Sequence, residues 1–131
     1  MIHLALQSII ISQGTVVTLE AAADKLIREK GYEIPQNVVL YRGISSKAIP
    51  QGGFRAGDVL KDKGFVYTST DAKWSKTFAD RDRGVLLKMQ VPKGSRVAVG
   101  NSLEKEVIFP RDTSWRVESV SNGEATLRRI G

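Results

Sequence analysis

Helical periodicity opens this chain, and short apolar runs broken by Gly, Pro, Asn and Asp then fill most of the remainder, an order that restricts the fold more than any other feature. Residues 16–30 hold the helix. Thr18 is placed to cap it, Leu19, Ala22, Ala23, Leu26 and Ile27 recur at helical spacing, and Gly31 is a natural stop. Strands are expected over 38–41, 64–69, 85–91, 96–99, 104–109, 115–120 and 125–130, with turns at 110–112 and 121–123. The run Val85-Leu86-Leu87-Lys88-Met89-Gln90-Val91 is the strongest of them. Residues 44–62, rich in Gly, Ser and Pro, read as a long excursion, and Asp71 or Ser69 could cap a short helix through Trp74 and Phe78. One or two helices first and strands afterwards argue an α+β fold with mostly antiparallel pairing.

At 131 residues the chain fits one domain, taken as 1–131, and contains neither repeat nor linker. No run reaches the roughly 20 apolar residues of a membrane helix, so no membrane partner is expected. The apolar stretch 2–11 is interrupted by Gln7 and Ser8, and no Lys or Arg precedes Lys25, so it lacks the basic flank of a signal peptide and reads as a core element.

There is no cysteine, and His3 is the single histidine. Disulfides, thiol catalysis and Cys/His zinc sites are thereby excluded, and a Ser–His–Asp relay would have to recruit that one terminal His. Chemistry is left to carboxylates, hydroxyls and cations, and no metal is expected. The formal charge of +6 favours an anionic partner, whether nucleic acid, a phosphorylated ligand or an acidic protein, although the charges are spread rather than blocked.

Three islands carry chemical potential. In Leu40-Tyr41-Arg42-Gly43 a cation at the end of a buried strand precedes a glycine that exposes backbone, which suits an anionic ligand but equally a surface salt bridge. In Tyr67-Thr68-Ser69-Thr70-Asp71 consecutive hydroxyls leave a strand, able to orient a carboxylate or a ribose, or simply to cap a helix. In Glu104-Lys105-Glu106, strand alternation puts both acids on one face, with the apolar run Val107-Ile108-Phe109 directly after. Two adjacent carboxylates repel, so they mark either a cleft rim or a solvated strand end.

Together, in this order, the islands resemble the mono-ADP-ribosyltransferase toxins of the Arg / Ser-Thr-Ser / Glu-x-Glu type. The family's aromatic-Arg motif corresponds to Tyr41-Arg42-Gly43, its aromatic-x-Ser-Thr-Ser motif to Tyr67-Thr68-Ser69-Thr70, and its Glu-x-Glu motif to Glu104-Lys105-Glu106. Gly64-Phe65 before the serine motif and Phe78-Ala79 after it also match, so the likeness spans roughly 38–118. Asp71 stands where the third motif hydroxyl belongs. A register one residue earlier, Thr68-Ser69-Thr70, lacks a leading serine, and Ser69 is preferred because it keeps the aromatic two positions ahead.

The resemblance implies a core of mostly antiparallel strands in two packed sheets, with a short helix after the Ser-Thr motif. It implies NAD⁺ as substrate, its N-glycosidic bond broken so that nicotinamide leaves while ADP-ribose passes to an acceptor. Nicotinamide leaves as a neutral group from an oxocarbenium-like centre, so no general acid is needed and one stabilising carboxylate is the central requirement. That carboxylate is expected to be Glu106, held by Ser69, with Arg42 on the pyrophosphate, the Gly43 backbone on the nicotinamide amide and Thr70 beside the cofactor. Glu104 is expected to activate the acceptor. Glu at that place accompanies arginine acceptors in the family, with the loop 100–103 facing the acceptor and Arg81 and Arg83 near the NAD⁺ phosphates. The expected setting is the C-terminal toxin module of a larger secreted protein, acting on a macromolecule in the cytoplasm of a target cell and restrained by an acidic immunity protein. RNA as acceptor, bare NAD⁺ hydrolysis, or a basic RNA-binding module without catalysis are the alternatives. The last is disfavoured by aromatics that are few and not interleaved with basic clusters.

Overall fold

The computed structural model describes residues 8–10, 16–103 and 105–131. Ser8–Ile10 (β1) pairs antiparallel with Val16–Thr18 (β2), and the chain passes directly into α1, Leu19–Lys30. Thr18 is extended and its Oγ1 accepts from the Ala21 N–H at 3.1 Å, the cap that its position predicts. Arg28 and Lys30 in the last turn complement the carbonyl end. The rest of the predicted 2–11 core element lies outside the described residues.

Ten further strands and α-helices follow, with a 3₁₀ turn at Ser46–Ala48 among them. They are Tyr32–Glu33 (β3), Val38–Ile44 (β4), Val59–Asp62 (β5), Val66–Ser69 (β6), Ala72–Asp80 (α2), Val85–Val91 (β7), Arg96–Val99 (β8), Glu106–Phe109 (β9), Thr113–Ser121 (β10) and Glu124–Arg129 (β11). The strands form one nine-stranded sheet in the order β3-β8-β9-β6-β4-β7-β11-β10-β5. Among the described ladders only β7 with β11 is parallel. The α+β class with mostly antiparallel strands therefore holds.

The sheet has a waist. β4 and β6 are joined by a single pair, Tyr41 opposite Ser69. On one side lie β3, β8, β9 and β6, and on the other β4, β7, β11, β10 and β5. The two halves bury one shared core, with Val66, Val97, Val107 and Phe109 from the first and Leu40, Leu87, Met89, Trp115 and Leu127 from the second. They meet where Phe109 packs edge-to-face on Trp115, centroids 5.3 Å apart at 86°. Trp115 is fully enclosed, and its Nε1–H donates to Thr113 Oγ1 at 2.9 Å, so its polar atom is satisfied. Truncating such a side chain to Ala costs about 3–5 kcal/mol.

The structure departs from the sequence reading at two places that bear on the site. The excursion 44–62 contains β5, which pairs with β10 along Asp62–Thr113 to Val59–Arg116. The last strand before Pro110 begins at Glu106, because Lys105 takes a left-handed φ of 49° and interrupts extended backbone. The alternation that would set Glu104 beside Glu106 on one strand face therefore stops short of residue 105, and Glu104 itself lies outside the described residues.

Candidate active site

The waist brings the motifs together. Tyr41 of β4 pairs with Ser69 of β6, and Ser69 in turn pairs with Glu106 of β9, so three strands place these residues in one row. From Arg42 onward β4 is paired with β7 but not with β6, and the halves part. A cleft of about 450 Å³ opens there, with Tyr41, Arg42 and Gly43 on one wall and Tyr67, Ser69 and Glu106 on the other. Trp74, Ser75 and Phe78 of α2 close a third side.

Helix α2 reaches this position because residue 43 has no side chain. A Cβ there would collide with the Ser75 carbonyl and crowd the Ala79 amide. The helix start is fixed by Asp71, whose Oδ1 accepts from the Lys73 N–H at 3.0 Å and the Trp74 N–H at 3.1 Å. Ser69 Oγ accepts from the Asp71 N–H at 2.9 Å. Asp71 in the third motif position is thus the cap of α2.

Glu106 is buried, 6% exposed, at the rim of an otherwise apolar strand. Its Oε1 accepts a long hydrogen bond, 3.4 Å, from the Asn101 N–H. Its backbone is clamped on both sides, the carbonyl accepting from the Gly100 N–H at 2.9 Å and its own N–H donating to the Asn101 carbonyl at 3.0 Å. Thr68 also lines the cleft, and its hydroxyl is satisfied by donating to the Val107 carbonyl at 2.7 Å. Burial, then the negative charge of Glu106 and that of Glu20, push the Tyr67 phenol above its ordinary value of 10.0. Tyr67 therefore faces the carboxylate as a neutral phenol at ordinary pH.

Arg42 is partly buried, and its Nη1 lies 3.7 Å from Asp62 Oδ2, while Asp62 Oδ1 accepts from the Gly64 N–H at 3.0 Å. The cleft thus holds one cation near one wall and one buried carboxylate on the other, a polarity suited to an elongated ligand with an anionic middle and an electrophilic end. Among the described residues no group of three or more His, Cys, Asp or Glu could hold a metal ion.

Of the residues singled out in the sequence, Arg42, Gly43, Ser69 and Glu106 line the cleft together. Thr70 is exposed and outside the lining, its N–H donating to the Lys105 carbonyl at 3.1 Å. Arg81 and Arg83 are exposed in the turn after α2, also outside it. In the loop 100–103, Gly100 and Asn101 touch the Glu106 carboxylate, and Leu103 is 91% exposed. Sequence reasoning missed Trp74 and Phe78 as cleft residues. The signal was their i, i+4 spacing, which puts two large apolar side chains on one helix face, and both stay about half exposed, at 46% and 52%. It missed Asp62 altogether.

The sheet splits where Arg42, Ser69 and Glu106 line one cleft, and its fold is that of the ADP-ribosyltransferase toxins. The ADP-ribosyltransferase exoenzyme family model matches residues 15–129, and the chain belongs to that family of mono-ADP-ribosyltransferase toxins. No curated protein matches. Among solved structures, Plx2a, an ADP-ribosyltransferase toxin from Paenibacillus larvae, is 17% identical with a TM-score of 0.66, over 86% of this chain and 70% of that one. C3stau2 from S. aureus, solved with NAD, is 18% identical with a TM-score of 0.66, over 86% and 69%. The Clostridium limosum C3 exoenzyme is 18% identical with a TM-score of 0.66, over 86% and 68%. At these identities the likeness is one of fold. Family membership displaces the reading of a basic RNA-binding module without catalysis.

Proposed function

We propose that this ADP-ribosyltransferase moves ADP-ribose from NAD⁺ to an arginine of a target-cell protein, with Glu106 as its catalytic carboxylate. The observation that carries the reading is the row Tyr41–Ser69–Glu106 across the waist, which sets a buried carboxylate in the same cleft as Arg42. Arg42 grips the pyrophosphate, a charge-assisted contact that positions NAD⁺ without taking part in bond cleavage. Glu106 stabilises the ribose and its developing positive charge as neutral nicotinamide departs. The Gly43 backbone, on the β4 edge that β6 leaves unpaired, receives the nicotinamide amide, and Ser69 completes the cofactor contacts, while Thr70, exposed outside the lining, serves only to tie the motif to the Lys105 carbonyl. The long hydrogen bond from Asn101 leaves the Glu106 carboxylate with capacity to accept from a ribose hydroxyl.

Glu104 serves the acceptor in this reading. A guanidinium is protonated and a poor nucleophile, so it needs a carboxylate to orient it and take a proton. The protein is the catalytic module of a larger secreted toxin, works in the cytoplasm of a target cell and is neutralised in the producer by an acidic immunity protein. A second acceptor class, RNA, is favoured by the charge of +6.

One experiment separates these. The protein is incubated with labelled NAD⁺ and a cell lysate, and the products are digested with protease or with nuclease. Label lost to protease and sensitive to arginine-competing guanidines supports the proposal. Label lost to nuclease moves the acceptor to nucleic acid, and nicotinamide release without any labelled macromolecule reduces the activity to hydrolysis.

A further inference from the structure

Asp62 stands outside all three motifs, yet among the described residues it is the acid that pairs with Arg42. We propose that Asp62 is a positioning residue that fixes the direction of the Arg42 guanidinium at the edge of the cleft, an inference that rests on Arg42 being the pyrophosphate anchor.

The arrangement is built in two halves. Strand β5 is delivered to this place by its ladder with β10, in which Asp62 pairs with Thr113. The carboxylate is then fixed by the turn that follows, with Oδ1 accepting from the Gly64 N–H at 3.0 Å. That leaves Oδ2 to face Arg42 Nη1 at 3.7 Å. At this separation the pair attracts without a hydrogen bond, so the guanidinium keeps its donors for a ligand while its direction is set.

Arg42 needs such a partner. It sits in β4 between Tyr41 and Gly43, on the strand face shared by Leu40 and Ile44, both of which are buried in the core. Its side chain must leave that apolar face to reach the cleft, and it also borders a crevice of about 240 Å³ lined by Ile44, Phe54, Trp115 and Asp62 itself. A long side chain at such a boundary has several low-energy directions, and a fixed carboxylate on one side selects among them. Arg42 and Asp62 are 31% and 40% exposed, so solvent screens the pair and the effect is modest, about three- to fivefold in affinity.

Two other roles for Asp62 predict different results. As a turn former alone, it would act through Gly64 and be indifferent to Arg42. As a bare negative charge near the pyrophosphate, it would weaken NAD⁺ binding. Asp62→Asn distinguishes all three, because Asn retains an oxygen acceptor for the Gly64 N–H and loses only the charge.

Nicotinamide release is measured across NAD⁺ concentrations for the wild type, Asp62→Asn, Arg42→Ala and the double variant, each checked for an unchanged thermal transition. The expected result is a KM about three to five times higher in Asp62→Asn with kcat within about twofold, and no further rise when the change is made in Arg42→Ala. A lower KM in Asp62→Asn, or the same rise in both backgrounds, overturns the proposal. The arginine Nε–H resonance of Arg42, read by NMR in the ligand-free protein, supplies a signal independent of turnover. It should shift in Asp62→Asn and stay put in Lys61→Gln, and an unmoved resonance also overturns the proposal. A wild type that releases no nicotinamide while Asp62→Asn shifts the Arg42 resonance would instead refute the functional reading and leave the positioning intact.

Discussion

Gly100 lies against the carboxylate of Glu106 so closely that a Cβ at residue 100 would collide with Oε1 and crowd Cδ and Cγ. The obstacle is the end of a side chain, not backbone, so the collision is relieved by moving the Glu106 carboxylate. Gly100→Ala should therefore leave the fold nearly as stable while lowering kcat for nicotinamide release by about tenfold or more, since an angstrom-scale misplacement of a catalytic group has effects of that order. An alanine variant with unchanged kcat and an unchanged melting transition would show that the carboxylate has room to spare.

Glu106→Gln keeps the shape and removes the charge. If this carboxylate supplies the main electrostatic stabilisation of the ribosyl cation, nicotinamide release should fall at least ~10²-fold. The core should survive, because the residue sits at the mouth of the strand and its backbone hydrogen bonds to Gly100 and Asn101 do not depend on the side chain. Near-normal turnover in a folded Glu106→Gln protein would exclude it as the catalytic group.

Local signals were sufficient where burial is strong and continuous. The runs that became β4, β7 and β8, the Thr18 cap and the helix after the Ser-Thr motif were all legible, because apolar periodicity and capping chemistry act over a few residues. β5 was not. Its four residues alternate exposed and half-buried and include Lys61 and Asp62, so it resembles a loop until β10 pairs with it. Asp62 could not be recognised as the neighbour of Arg42 for the same reason. At Glu104 and Glu106 the period-two argument assumed a strand that the left-handed Lys105 interrupts. The three motifs were legible as a set by their order, but the row Tyr41–Ser69–Glu106 is a product of non-local pairing that no window of sequence contains.

Arg42→Ala should raise the KM for NAD⁺ far more than it lowers kcat, because a phosphate is gripped similarly before and during bond cleavage. Arg42→Lys should recover only part of the loss, since an ammonium cannot present the guanidinium's planar fork. Calorimetry checks the assignment directly. Unchanged NAD⁺ affinity in Arg42→Ala would place the pyrophosphate elsewhere.

Tyr67 gives the site an alkaline signature. Its phenol holds its proton more tightly in the fold than in the unfolded chain, whose tyrosine titrates near 10.0, chiefly through burial and then through Glu106. A raised folded value contributes stability that is fully present below pH 10 and is lost as pH climbs through the folded transition. With Tyr32 and Tyr41 as the only other tyrosines, ultraviolet titration can isolate it by comparison with Tyr67→Phe. The tyrosinate transition missing from Tyr67→Phe is that of Tyr67, and it should move down in Glu106→Gln, where the opposing charge is gone, while the larger part of the shift, due to burial, stays. A Tyr67 transition that does not move at all in Glu106→Gln would contradict the influence of this carboxylate on the phenol.

Glu104 and Glu106 should separate when two activities are followed at once. If Glu104 activates only the acceptor, Glu104→Gln abolishes labelling of a target macromolecule yet leaves slow nicotinamide release, because water needs less help than a guanidinium. Glu106→Gln removes both, since each begins with the same bond cleavage. A pair of merely solvated surface acids would leave both activities intact in either variant, and a shared folding role would remove both together with the thermal transition. The measurement is nicotinamide release and acceptor labelling from the same reaction, with the melting curve of each variant alongside. Labelling that survives in Glu104→Gln would exclude Glu104 as the acceptor's base. Arginine would then lose its chemical argument, and the charge of +6 would make RNA the acceptor to test next.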